Sequence, residues 1–507
     1  MGAAGGNQTR ISETPPHIAA HKVPGDSALV RYALPISLFL AVFAWAIPAL
    51  PSADMWWHLR VGEYILQTHS VPQTDPFSYT VAGKPWIAQE WLAEVLIYLA
   101  FKLGGTGSLL LCFGVMSALA FGLVHLRSRG ASFAARALAL GPGVWTAAPT
   151  FSSRPQVFSL LLTAVVLYLL QRFRDERRGR LLIPLLPIMA LWVNLHGAYI
   201  LGPVLIGLAV VGELADYALG QREWRGTQRQ VRNLLITLGG CLAMVPLNPN
   251  GAKMYLYPFD TLRLTVLQAN IMEWRSPDFH LSIFFPFALL LFGTVAALVL
   301  SKQRPVPSEV ILFCVFAYGG LRAMRNVSIF ALVSVPLLAK YAALPAVHWR
   351  EHARWSPRRI FALIVLGMTV PTVALSVRYD LSRQPGLEWL RFPKDAVAYI
   401  QQNNLPGPIF NSYDNGGYLM WKLYPQYRIY IDGRTDLYGE EFIQNFLAVY
   451  RGQVNPQPEL DRYRVQTVII EPGSALAREL TVMPQWKRVF GDDRALVFTR
   501  ATAESQP

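Results

Sequence analysis

Charge is scarce in this chain. Only 15% of its 507 residues are Asp, Glu, Lys or Arg and 53% are hydrophobic, whereas a soluble protein carries about a quarter charged residues; the composition excludes an ordinary water-soluble globule. Acids are scarcer than bases, 32 against 46, for a formal net charge of +14. That excess does not point to a nucleic-acid partner, because the Lys and Arg fall in short clusters between apolar runs, where they act as topology signals. Cysteine is nearly absent: Cys112, Cys241 and Cys314 lie inside apolar segments without the spacing of a disulfide framework or a metal site. There is no internal repeat of the kind that transporters built from two related halves show. The first apolar run is too long for a removable signal peptide and lacks its small-residue cleavage site, so it reads as a retained anchor.

What is abundant is long apolar sequence. Runs able to cross a bilayer begin near Tyr32, Gly107, Ser132, Val157, Leu181, Tyr199, Asn233, Leu281, Val310, Val327 and Ile360, which predicts a polytopic α-helical membrane protein of about eleven spans. With the N-terminus in the cytoplasm, the clusters around Arg127, Arg174, Arg225, Arg304, Arg350 and Arg354 all fall on the cytoplasmic side, as positive-inside bias requires. Residues 86–103, WIAQEWLAEVLIYLAFKL, are apolar enough to cross, but counting them as a span would invert every later loop. They are therefore placed at the outer surface; a count of twelve or thirteen follows if they do cross. The expected divisions are a cytoplasmic tail (1–31), a transmembrane domain (32–377) that includes an outer loop (51–106), and an extracytoplasmic α/β domain (378–507). Strand-like and helix-like stretches alternate in the last of these, at residues 408–411, 417–423, 428–432, 465–470 and 495–498, with helices expected at 393–403 and 440–450.

The outer face collects the chemically unusual residues. Asp54 follows the first apolar run directly, and an acid at that depth is costly unless it has a function or a partner. Its bland roles are to cap the next helix or to pair with Arg60. The stretch after it, MWWHLRVGEYIL, suits an amphipathic helix in the interface plane, with His58 one turn from Asp54. Asp75, before Pro76, either fixes a bend or belongs to a site. Glu90 and Glu94 lie one turn apart, and Glu90 is framed by Trp86 and Trp91. Arg154, Arg322 and Arg325 sit at outer span ends, against the charge bias that the other bases obey. Guanidinium there suits a lipid phosphate, or snorkels to headgroups. His196 follows Asn194 at another outer end. In the last domain Tyr413, Asp414, Gly416 and Gly417 read as a tight turn with glycine at positive φ, and Asp432, Arg434 and Asp436 as a strand-end turn; both suggest a binding edge.

An acid just after the first span, a long outer loop with surface helices, about eleven spans and an outer C-terminal domain together resemble the GT-C superfamily, the integral membrane glycosyltransferases that use polyprenyl-phosphate or polyprenyl-diphosphate sugar donors. Asp54 matches the first-loop catalytic acid, although mannosyltransferases show an Asp-Glu pair where Met55 stands here; Glu90 is then the candidate second acid. NSYDNGGY with IDGRTD is loosely similar to the acceptor-binding signature of oligosaccharyltransferases, without its two tryptophans. The combination DMWWHLRVGEYIL, DPFSYT, QEWL, NLHG and YIDGRTDLYG is similar to bacterial membrane proteins filed beside lipopolysaccharide-core transferases. The resemblance implies an inverting glycosyltransferase in the cell inner membrane, moving a sugar from a polyprenyl-phosphate carrier to a glycan or lipid acceptor. Taken with the residue chemistry above, it leaves Asp54, Glu90 and His58 as the candidate catalytic residues and Asp75, Arg154, His196, Arg322, Arg325, Tyr413, Asp414, Asp432 and Arg434 as the candidate substrate-binding residues. A divalent metal, Mg or Mn, held by Asp54 with Glu90 or Asp75 is an open option, though the sequence offers no tight ligand spacing. A protein-glycosylating enzyme, a transporter and a non-catalytic envelope-assembly protein are the alternatives.

Overall fold

The computed structural model describes residues 28–47, 52–263, 265–342 and 357–501. Most of the expected cytoplasmic tail, and the basic residues Arg350 and Arg354, lie outside the described residues. Each of the eleven expected span starts falls within, or up to four residues before, one of these helices: α1 (Ala28–Ala46), α3 (Trp91–Arg127), α4 (Phe133–Ala147), α5 (Gln156–Glu176), α6 (Leu185–Trp192) with the 3-10 turn before it, α7 (Leu201–Ala218), α8 (Trp224–Met244), α11 (Phe285–Leu300), α12 (Pro307–Arg322), α13 (Val327–Tyr341) and α14 (Pro357–Arg391). Short helices α2 (Met55–Thr68), α9 (Tyr257–Arg263) and α10 (Thr265–Asn270) belong to the loops expected from the sequence to face outward, and the label outer is kept for that end of the molecule. Among the described residues, six helices are long and apolar enough to cross a membrane by length and composition, which makes this a multi-pass membrane protein.

Apolar residues set the layers. Almost every residue of α13 is buried, and α4, α11 and α12 pack around it; a helix that is apolar all round belongs in the centre of a bundle. Helices further out turn Leu235, Ile236, Phe292, Val299, Met368 and Leu375 outward, as lipid contact requires. The helix α3 is broken at Gly104 and Gly105, where Gly105 has φ 62°. At 1.5 Å per residue its part before the break is about 20 Å long, short of the ~30 Å hydrocarbon core, while its part after the break is about 33 Å long.

After α14, which continues past residue 378 to Arg391, come α15 (Lys394–Gln402), β1 (Ile409–Asn411), α16 (Tyr413–Leu423), α17 (Thr435–Tyr438), α18 (Glu440–Tyr450), α19 (Gln457–Arg462), β2 (Thr467–Ile470), α20 (Ala475–Val482), β3 (Trp486–Gly491) and β4 (Leu496–Arg500). The sheet order is β1-β2-β4-β3, with β1 and β2 parallel and the other pairs antiparallel. The stretch 428–432 does not join that sheet. Its Ile429 pairs instead with Ser78 of the outer loop, through the bonds Tyr79 N–H to Ile429 O and Ile429 N–H to Phe77 O.

This pairing belongs to a larger union. Met55, Trp56, Phe77 and Trp86 of the outer loop are buried in one apolar cluster with Phe410, Tyr418, Ile431 and Phe498 of the last domain. The Trp56 ring meets the edges of Tyr418 and Phe392, with centroids 5.2 and 5.5 Å away. The apolar face of α2 is therefore covered by protein, not by the membrane interface as its pattern suggested: α16 and α3 bury it. The pattern specifies an apolar partner without naming it. Gly416 and Gly417 are likewise not a positive-φ turn. They lie within α16, where a Cβ on Gly416 would stand 2.0 Å from Ile431 O and one on Gly417 3.0 Å from Ala53 O. Glycine is needed there for close approach of backbones, which carries the start of α2 against the last domain.

Candidate active site at the outer helix ends

Several chain segments that are remote in sequence bring their polar residues to one cavity of about 150 Å³. Asp54 is the residue before α2, Glu90 the residue before α3, and Arg154 stands just before α5. His196 lies between α6 and α7, Glu273 in the long outer loop, Arg325 between α12 and α13, and Gly433, Arg434 and Asp436 in the last domain. Helix starts at this depth direct backbone N–H groups and the positive dipole end outward, a field that suits anions.

Asp54 makes no side-chain cap bond to α2. Its Oδ2 lies 3.2 Å from Arg154 Nε, and the far side of the Arg154 guanidinium meets Glu273 at 3.1 and 3.2 Å. Asp54, Arg154 and Glu273 each remain about a quarter exposed, 27%, 24% and 23% by side chain, so the chain of charges is open to the cavity. Arg60, the sequence-level alternative partner, is occupied by Glu63 and the Trp421 carbonyl. The floor under Asp54 is Gly433, where a Cβ would stand 2.3 Å from Asp54 Oδ1.

Behind the charges lies a buried relay. His58 Nδ1 faces Glu94 Oε1 at 3.4 Å and Glu90 Oε2 at 3.9 Å; His196 Nε2 faces Glu90 Oε1 at 3.6 Å. The Ala198 N–H donates to His196 Nδ1, and Ser159, which accepts from Trp192 Nε1–H, has its hydroxyl 2.8 Å from the same nitrogen. With Nδ1 an acceptor, these partners assign the neutral ring's proton to Nε2, on the side of Glu90. Burial, then the charges of Arg325 and Arg154, push His196 down to about 3. Burial also leads, ahead of Arg154 and His196, in pushing His58 well below the histidine range. Glu90 goes the other way: burial, then Asp436, raise it to about 8 against the pull of Arg154. At neutral pH the relay thus holds neutral imidazoles and a proton on Glu90. Trp57 Nε1 and Glu94 Oε2 have no protein partner among the described residues. Both residues line the cavity, leaving a donor and an acceptor for whatever enters it. Arg325 is held over the Trp274 ring at 4.2 Å.

Of the polar residues singled out in the sequence, Asp54, His58, Glu90, Glu94, Arg154, His196, Arg325, Arg434 and Asp436 line this cavity. Asp75 and Asp432 are placed beneath it. The Arg434 Nη1 bonds Asp75 Oδ1 at 2.7 Å and its Nη2 bonds Asp432 Oδ2 at 2.6 Å, with the guanidinium carbon 4.7 Å from the Trp86 ring centre. Asp75 also accepts from Phe77 N–H and the Ser78 backbone N–H, so it both fixes the bend and holds the clamp. Tyr413 donates toward the Gly433 carbonyl and bonds Thr435, and with Asp414 it lines an adjoining hollow of about 190 Å³. Arg322 is exposed at the end of α12, outside the cavity lining. Glu273, Trp57 and Gly433 are among the cavity residues that sequence reasoning did not select. The acidic-aromatic character of the 273–278 stretch was a visible signal for the first, but nothing in it names Arg154 as a partner.

The donor set does not make a metal site. Among the described residues no three His, Cys, Asp or Glu side chains converge as ligands; Asp54 is engaged by Arg154 and Asp75 by Arg434. No step is therefore routed through a metal.

No family model matches the chain, and no curated protein matches it. Solved structures do. ArnT from Cupriavidus metallidurans bound to undecaprenyl phosphate is similar over 95% of this chain and 100% of its own, with a TM-score of 0.51 at 14% identity; in the apo state the TM-score is 0.52. This is the GT-C fold. The archaeal oligosaccharyltransferase AglB from Archaeoglobus fulgidus, in complex with an inhibitory peptide and a dolichol-phosphate, is similar over 95% of this chain and 75% of its own, with a TM-score of 0.50 at 13% identity. The sequence-level resemblance to GT-C proteins thus holds at the level of the fold.

Proposed function

We propose that this GT-C protein is a glycosyltransferase of the bacterial inner membrane, taking a sugar from a polyprenyl-phosphate carrier and passing it to a glycan or lipid acceptor on the extracytoplasmic side. The observation that carries the reading is the outer-end cavity in which the open Asp54–Arg154–Glu273 chain meets Arg325 and the proton-bearing Glu90. The fold supports it, since structures of two proteins with this fold hold undecaprenyl phosphate or dolichol-phosphate.

In this reading the acceptor hydroxyl enters beside Asp54, whose carboxylate takes its proton as the acceptor oxygen bonds to the anomeric carbon. The bond from that carbon to the carrier phosphate breaks, and its electron pair leaves with the phosphate. Arg154 and Arg325 hold the growing negative charge, and Glu90 donates a hydrogen bond into the same space. A single displacement inverts the anomeric carbon. The acceptor approaches through the hollow at Tyr413 and Asp414, whose Thr435 hydroxyl donates to the carbonyl of Gly433 in the cavity floor. The basic helix ends lie in the cytoplasm, together with the N-terminus, and the last domain lies outside.

The test is membranes carrying wild type, Asp54→Asn or Asp54→Ala, given a panel of polyprenyl-phosphate sugars. Donor consumption by wild type and its loss in both variants is expected. A wild type that consumes none of the panel overturns the transferase reading, and variants with full activity overturn the assignment of the base.

A further inference from the structure

The helices that frame the outer cavity carry a second hollow at their other ends. At 1.5 Å per residue α5 puts about 30 Å between them. This hollow encloses about 450 Å³. Its apolar wall includes Leu167, Leu205, Leu312 and Leu337 from within the helices, while its charged residues come from helix ends and links: Arg127 ends α3, Arg174 lies in the last turn of α5, Arg222 joins α7 to α8, and Lys340 is next to the end of α13.

We infer that this hollow binds a lipid with a phosphate headgroup, its hydrocarbon chain against the leucine wall and its phosphate at Arg222. The rim is nearly neutralised by its own acids. Arg174 Nη2 meets Asp216 at 3.1 Å, Arg177 Nη1 meets Glu213 at 2.7 Å and Lys340 Nζ meets Glu309 at 2.9 Å. Two bases of the hollow have no acid within ion-pair distance among the described residues, Arg127 and Arg222; Arg127 is spent on the Gln171 side chain and the Leu332 carbonyl, so Arg222 is the cation left with open N–H groups. Burial, and after it the neighbouring Arg177 and Arg174, lower its affinity for its proton, so an anion at this place relieves a repulsion. Water alone suits the rim but not the apolar wall, which a hydrocarbon chain would cover. Basic pockets between membrane helices on the face that carries the positive clusters are phosphate-headgroup sites for the same reasons. The inference does not depend on sugar transfer, since none of these residues reaches the outer cavity.

The experiment uses the full chain in mild detergent, with bound lipid read by native mass spectrometry during titration with phosphatidylglycerol, undecaprenyl phosphate or diacylglycerol. Wild type retains one of the two phosphate lipids. Arg222→Glu, at an exposed position, lowers that retention about tenfold, the loss of one charge-assisted bond. Leu208→Trp, which fills the hollow, abolishes it, and Asp54→Asn leaves it unchanged. Which phosphate lipid is retained identifies the source of the headgroup. The assignment is overturned if diacylglycerol is held as well as either phosphate lipid, if inorganic phosphate alone protects the chain from thermal unfolding as well as the lipid does, or if all variants retain lipid equally.

Discussion

Two acid–arginine–acid chains lie within one site, and they differ in what surrounds them. Asp75–Arg434–Asp432 is sealed: its side chains are 0–1% exposed, and Asp432 also accepts from Tyr438 and the Arg434 backbone. Asp54–Arg154–Glu273 has the same composition but is about a quarter exposed and faces a cavity. The sealed chain ties the outer loop to the last domain and has no capacity left for a substrate. The open chain has unshared oxygen and N–H capacity, and only such a chain can exchange partners with a phosphate or a hydroxyl.

The contrast is sharpened by variants that separate folding from turnover. Asp54→Asn removes the base with little change in shape; donor consumption is expected to fall about 10²–10⁴-fold, with the thermal midpoint of the purified protein moving little. A matching loss of stability would make the open chain structural as well. Arg434→Met should do the reverse. It leaves two buried carboxylates without their cation, a loss of about 3–5 kcal/mol, seen as a lower unfolding midpoint, and it should loosen the loop from the last domain in limited proteolysis. Gly433→Ala pushes on Asp54 from below. With its Cβ 2.3 Å from Oδ1, the carboxylate must turn away, and a displacement of that size costs turnover about 10²-fold, with the protein still folded.

The last expected effect is a pH dependence. A carboxyl at about 8 in the folded protein, against 4.5 for its ordinary value, holds a proton that the unfolded chain has released across that interval. Its contribution to stability is therefore present below pH 4.5 and is lost as pH rises through 8. Glu90→Gln should lack that loss, measurable as a thermal midpoint without the Glu90 contribution to its fall between pH 4.5 and 8. Wild-type donor consumption is expected to decline around pH 8, and that of Glu90→Gln to lack this decline. If both proteins decline alike, Glu90 is not the group that carries the proton.

Much of this architecture follows from local pattern. Apolar runs dictate helices because a chain in lipid must satisfy its own backbone, and the position of Asp54 directly behind the first run is a matter of counting. Residues 91–103 are set off from the rest of α3 by a local feature, the break at Gly104 and Gly105. What local pattern could not supply was partnership. The amphipathic face of α2 fits a bilayer or a protein equally well, and only packing chose the protein. Gly416 and Gly417 carry no sign of whether they serve a turn or a close contact.

The sequence by itself determined which segments are helical, where the acids and guanidinium groups cluster along the chain, and that the last part is an α/β unit, because propensity and hydropathy act over neighbouring residues. Only the tertiary structure decided that Arg154 belongs to Asp54, that Arg434 belongs to Asp75 and Asp432, and that Glu90 is desolvated between two imidazoles. Those are interactions between residues tens to hundreds of positions apart, and their strength depends on burial, which no single segment possesses until the others close over it.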